Sequence, residues 1–438
     1  TVSGDLTAST DSPFDDPAGF VFGDAEDQNV IKCGSYVGNS TANHEIYVGW
    51  EPQWWLVKNV TDSQNWQLLD SMRGWAIDGN DQYLVPNNTS QDHSFNFGNP
   101  TSTGFNLSNA SSNWQNQDGK TYVYIAIRRP DGYCGKPPEL GTDVFAMDTS
   151  AATGTIPDFD SGFPVDFSFF KGITTTDQWY TGARIAGQEF LGTNTTAAGS
   201  TSGSWVWDSN VGWIAASGFD SNHQAWMWKR YAGFDVVAYK GNGSEQNIMH
   251  NLSKSPEMIW CKGRDVTSDW AVYHKGQNGG TNPEQYHLHL NNTSAEVALT
   301  SMWNDTAPTS TQFTVGSNSN SNYDNKKFIA MLFASVDGIS KVGRYTGTGS
   351  SGNSVSLGFQ PRFLIVKNAD WSSGDWFVYD TTRGWVSGND STLILNSNAA
   401  QVTGSTFDID PTSTGFTVQS TDAAVNNNGH NFIYYAHA

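Results

Sequence analysis

The chain reads as an all-β protein, a tandem array of antiparallel β-sandwich modules of jelly-roll-like character. Three observations lead there. Residues 32–59 and 341–368 align without a gap, so part of the chain is a copy of another part. Short stretches alternate with the two-residue period of a half-buried strand: Val123, Ile125 and Ile127 interleave with Tyr122, Tyr124 and Ala126. Finally, 44 glycines among dense Asn, Ser and Thr mark many turns between short strands. No stretch keeps a helical period beyond two turns, which excludes a helical solenoid. Each module is expected to hold roughly seven to nine strands.

The repeat is specific at the level of single residues. Lys32, Gly34, Tyr36, Gly38, Gly49, Pro52 and Val57-Lys58-Asn59 recur as Lys341, Gly343, Tyr345, Gly347, Gly358, Pro361 and Val366-Lys367-Asn368. Further on, Trp66, Asp70, Arg73, Gly74 and Trp75 recur as Trp376, Asp380, Arg383, Gly384 and Trp385. A Pro-Thr-Ser-Thr turn followed two residues later by Phe opens a strand at 100–105, 308–313 and 411–416. A residue repeated in several modules serves the fold more often than a single active site.

These signatures divide the chain. Residues 1–30 form an acidic N-terminal arm whose apolar clusters are Phe14 and Phe20-Val21-Phe22, a docking arm or a disordered tail. Module one spans 31–129, with a Pro/Gly-rich linker at 130–157. Module two, 158–231, is degenerate, keeping Lys171, Trp179 and the closing 225–228 strand. Module three, 234–337, matches Tyr36, Gly38, Pro52, Lys58 and Trp66 with Tyr239, Gly241, Pro256, Lys262 and Trp270, and module four spans 338–438.

Composition limits function. With 43 acidic against 23 basic residues the net charge is −20, and no basic patch or phosphate loop offsets it, which argues against nucleic-acid partners. No 18-residue apolar run predicts a membrane span. Three cysteines, Cys33, Cys134 and Cys261, are too few for a disulfide framework and are expected as free, buried thiols. The chain starts at Thr1 without a signal-peptide pattern, so a leader removed before this point is one expectation.

Candidate chemistry is sparse. Asp70/Arg73 and Asp380/Arg383 are the best acid–base candidates, but each repeat supplies one acid where glycosidase work needs two. They are expected to be structural ion pairs. Module three has His274 in place of that Asp, and module two has Ala183. His287 and His289 share one strand face and are expected to meet solvent; no third metal ligand accompanies them. Asn304-Asp305 and Asn389-Asp390 suggest calcium only weakly, so no metal or other cofactor is predicted. Trp66, Trp179, Trp270 and Trp376 occupy one repeated position and are expected as core pegs. Trp75, Trp385, Trp114, Trp303 and Trp371 lie beside turn residues, where they would stack on sugar rings or pack against a partner.

The runs 269–276, 290–295 and 303–311, continued by 345–349 and 358–367, resemble lectin-like modules of marine tailed-phage (cyanophage-type) tail-fibre and virion surface proteins. The likeness is best over 234–438, good over 31–129 and weak over 158–231. It implies a non-enzymatic structural protein at the virion surface, an oligomer contacting host-surface glycans by multivalent weak binding. Its partners would be other virion proteins. A capsid-decorating cement protein is the alternative, and a polysaccharide depolymerase a more distant one.

Overall fold

The computed structural model describes residues 21–22, 30–108, 112–215 and 219–438. Phe14 and Phe20 of the acidic arm lie outside them; the backbone of Val21–Phe22 pairs antiparallel with Cys134–Gly135.

One six-stranded antiparallel sheet occurs four times with one strand order. In module four, Ser340–Thr346 pairs with the closing strand Asn431–His437, which pairs with Phe363–Asn368, followed by Trp376–Asp380, Asp390–Ile394 and Val402–Gly404. Placing the first and last strands side by side makes each module a closed unit of chain. A smaller sheet covers one face: three strands in modules one and four, two in modules two and three. The molecule is thus all-β and modular, each module a two-sheet sandwich with its own core. No helix among the described residues is long and apolar enough to cross a membrane.

The repeated glycines have local causes. Gly74 and Gly384 take φ +103° and +96°, the left-handed turn after the Asp-x-x-Arg element. At Gly38 and Gly347 a Cβ would stand 2.2 and 2.1 Å from a backbone carbonyl oxygen of the loop before the closing strand. The segment read as a linker is corrected here: within 130–157, Phe145–Thr149 is the first strand of module two, paired with Gln224–Trp228. Five residues with a polar Asp148-Thr149 end carry too little alternation to show as a strand.

The second face of each main sheet decides the assembly. In modules two, three and four those faces meet in one common core that includes Phe169, Trp260, Ile365, Trp226, Met331 and Tyr435. Indole N–H groups lace it together. Trp179 of module two donates to Ile394 O (2.9 Å) and Ser397 O (3.0 Å) of module four. Trp376 of module four donates to His289 O of module three (2.9 Å), and Trp270 of module three donates to Gly192 O of module two (2.8 Å). The repeated lysines run the same circuit at 3.0 Å: Lys171 to Asn398 O, Lys367 to Thr293 O and Lys262 to Thr196 O. Three modules close a three-membered cycle.

Module one stands outside it. Its main-sheet strands alternate buried and half-exposed residues, whereas the two central strands of the other modules are buried on both faces. Trp66 is therefore not a core peg but half-exposed, while Trp179, Trp270 and Trp376 are pegs between modules rather than within one. Cys33 is exposed for the same reason, where its counterpart Val342 is buried; all three cysteines are free thiols.

Two outcomes are expected. Trp376→Ala removes a buried indole and its inter-module bond, and should cost about 3–5 kcal/mol in urea unfolding. The lysines give a pH signature. Burial pulls Lys171 and Lys262 down to about 8 and Lys367 to about 7. Between about 7 and the ordinary lysine value of 10.5 the unfolded chain holds more protons than the folded one. The stability these groups contribute thus grows as pH rises through that window and is lost as pH falls through about 7. Urea unfolding at about pH 7 and about pH 9.5 should show wild type gaining about 1–3 kcal/mol relative to Lys367→Met across that interval.

Candidate functional site

The repeated Asp/Arg element is a turn brace. Asp70 accepts the Arg73 backbone N–H (2.8 Å) and its Nε (2.7 Å); Asp380 accepts the same groups of Arg383 at 3.0 and 2.6 Å. The two copies differ in surroundings. Arg73 also reaches Asp92 at the surface (2.8 Å). Asp380 is fully buried and receives Gln224 Nε2 (3.1 Å) and Trp226 Nε1 (3.0 Å) from module two, locking two modules together. His274, in the same position of module three, donates from Nε2 to Tyr434 O of module four (3.1 Å). Burial drops its pKa to about 4, so it is a neutral linker near pH 7.

The turn tryptophans are corrected as surface contacts. Trp75 and Trp385 are 1% exposed, inside the sandwiches of modules one and four, donating to Gly98 O and Ile409 O. Trp303 is buried in module three. Trp114 and Trp371 are half-buried at the edges of their own modules' cores. A turn residue can point inward when the turn folds over the end of a sandwich, and residue spacing does not report that.

His287 and His289 do share a face, with ring centroids 5.0 Å apart, but it is largely buried rather than solvent-facing. Burial drops His287 to about 4. Asp390 is buried as well, accepting Ile409 N–H (2.6 Å); its module-one counterpart Asp81 accepts Phe97 N–H (2.9 Å). Burial raises both to about 7. Asp305 accepts Gln285 Nε2 (2.8 Å). Among the described residues no cluster of three or more His, Cys, Asp or Glu side chains is arranged to hold a metal ion.

What the structure brings together instead is a groove between modules two and four, about 590 Å³ in volume. Tyr180 and Phe190, on adjacent strands of module two, form an edge-to-face pair with centroids 5.6 Å apart. Gln178, Asn194, Asn396 and Asn398 surround them, and no lining side chain is charged. Asn194 and Asn396 are held by accepting the backbone N–H of Trp179 (3.3 Å) and Trp376 (2.8 Å), the two pegs on either side. The volume suits a small ligand. The Asn194 and Asn396 amides also donate within the fold, to Gln178 Oε1 (2.6 Å) and Asp375 Oδ1 (2.8 Å), so the Gln178 Nε2 and the Asn398 amide are the groups that match ligand hydroxyls, and the aromatic rings offer apolar surface to C–H groups. Sequence reasoning missed this groove because its two walls lie some 200 positions apart, as Thr195 and Ser397 do.

A second feature was also missed. Where module one meets modules two and three, Glu51 bridges Arg129 (3.2 Å) and Arg230 (2.8 Å). Arg129 continues to Asp166 and Arg230 to Asp235, both at 3.4 Å. All five residues are buried. Burial alone would weaken the Arg129 guanidinium, but Asp166 and Glu51 outweigh it and hold it above the ordinary arginine value. The signal was present: Arg128-Arg129 and Lys229-Arg230 stand at equivalent places at the ends of the closing strands of modules one and two.

Glu51→Gln leaves two buried guanidinium groups short of a counter-charge. It should lower stability by about 3–5 kcal/mol, read from the denaturant midpoint, and release module one to proteolysis first.

The chain belongs to the family described as a domain of unknown function, DUF7483, whose family model matches residues 9–129 and 161–438. No curated protein matches it.

Proposed function

We propose that this is a non-enzymatic structural protein of a marine tailed-phage particle surface, a fibre or tail appendage that contacts host-surface glycan. The observation that carries the glycan half is the uncharged, amide-lined groove with its Tyr180/Phe190 pair. A neutral polyhydroxylated ligand matches it; an anionic or cationic one finds no counter-charge there. The phage half rests on the resemblance of the repeated modules. The acids open to a hydrolytic reading support a scaffold role, since Asp70 and Asp380 are engaged by a backbone N–H and an arginine, and Asp81 and Asp390 by backbone N–H groups.

One aromatic contact contributes on the order of 1 kcal/mol, so single-site affinity is weak and display in many copies raises it. A glycan array at high protein density should retain neutral glycans, and calorimetry on the strongest of them should show Tyr180→Ala and Asn398→Ala each weakening binding about five- to tenfold. Retention of no glycan at that density, or new reducing ends released from host polysaccharide, would overturn the reading.

A further inference from the structure

Module one carries the docking equipment of the three-module cycle, and nothing among the described residues is docked on it. Leu56 stands in register with Phe169, Trp260 and Ile365, and Ile125 with Trp226, Met331 and Tyr435. Those six counterparts are buried where the sister modules meet. Leu56 and Ile125 are half-exposed, and with Trp54, Leu68, Val123 and Ile127 they form a continuous apolar face. Ile31, at its edge, is 56% exposed.

The polar parts are equally complete. Trp66 presents an indole N–H that has no partner among the described residues. Lys58 reaches the carbonyls of Asn59 and Gln64 in its own module, as its counterparts reach those of Asp177, Ser268 and Gly374, but those three also cross to a neighbour. The receiving side has a landmark. Asn87 accepts the Trp66 backbone N–H, as Asn194, Asn291 and Asn396 accept those of Trp179, Trp270 and Trp376. Two residues before each sister asparagine stands the carbonyl that takes a neighbour's indole: Gly192, His289 and Ile394. Two residues after it stands the carbonyl that takes a neighbour's lysine: Thr196, Thr293 and Asn398. In module one these places are Val85 and Thr89.

We propose that three copies of the chain assemble through their first modules, repeating between chains the cycle that modules two, three and four close within one. Trp66 and Lys58 of each copy donate to the Val85 and Thr89 carbonyls of the next. Each sister module donates to one neighbour and accepts from the other, so the contact is head-to-tail; such contacts form a ring when the rotation closes, and the sister modules close after three. A dimer would leave one set of donors and one set of acceptors open. Burial of an exposed apolar sheet face supplies the drive.

Light scattering and mass photometry on the full chain should give three times the mass of one chain. Ile125→Glu and Lys58→Glu each place a carboxylate in the contact and should raise the dissociation concentration at least tenfold. Ile125 lies on the open face of a single chain, so circular dichroism and the unfolding midpoint of dissociated Ile125→Glu should match wild type; Lys58→Glu also loses its bonds to the Asn59 and Gln64 carbonyls, so its circular dichroism alone is expected to match. A monomeric or dimeric wild type, or a trimer indifferent to both substitutions, would overturn the assignment. So would a monomer that assembles only after removal of residues 1–29, which would give the face to the chain's own N-terminal segment.

Discussion

A β-sheet has two faces, and a sandwich partner covers only one. In this protein the constraint on which the rest depends is the covering of the other. Modules two, three and four solve it mutually, turning their second faces into one aromatic and aliphatic core. The strands there leave almost no accessible surface, so a polar group that enters the core without a partner, as the Trp260 indole N–H does, is costly. The indoles of Trp179, Trp270 and Trp376 and the ammonium groups of Lys171, Lys262 and Lys367 do so on carbonyls of the next module. Each bond is modest alone, but leaving any of these donors unpaired would cost more than the bond contributes. The circuit therefore sets the order of modules around the core as well as holding it.

Module one is attached by other means. Its junction relies on a buried set of opposite charges around Glu51, Arg129 and Arg230, reinforced at the rim by Arg264 to Asp78 (2.8 Å) and by Ile77 N–H to Ile185 O (2.8 Å). Buried ion pairs add little net stability against an apolar replacement, yet they penalise any misalignment strongly. Such a junction fixes the position of module one and leaves its second sheet face uncovered by the other modules among the described residues. The same motif thus has two fates: Asp380–Arg383 is sealed between modules four and two, while Asp70–Arg73 sits at a half-exposed edge.

Much of the fold was legible in the chain and little of the site. The copied Lys, Gly, Tyr and Trp positions mark equivalent places in equivalent sheets, because strand register and tight turns are local requirements. The strand at Phe145–Thr149 was missed because an edge strand needs only one apolar stripe, here Phe145 and Met147. The tryptophans were harder. Trp66 and Trp376 hold equivalent places at the start of equivalent strands, but among the described residues only Trp376 has a neighbouring module against it. Trp75, Trp385 and Trp303 sit by turns yet point into cores, since side-chain direction at a turn follows from how the turn closes over the sandwich.

From the amino-acid sequence alone follow the all-β class, the repetition of one module and the residues every copy must keep. These depend on alternation, glycine conformation and turn chemistry, all of which act over a few neighbouring residues. Only the tertiary structure decided which faces meet, which of four equivalent tryptophans are covered, and that Tyr180 and Asn398 share a groove. Contacts between distant segments depend on how whole sheets pack, and packing is a property of surfaces that exist only once the modules have folded.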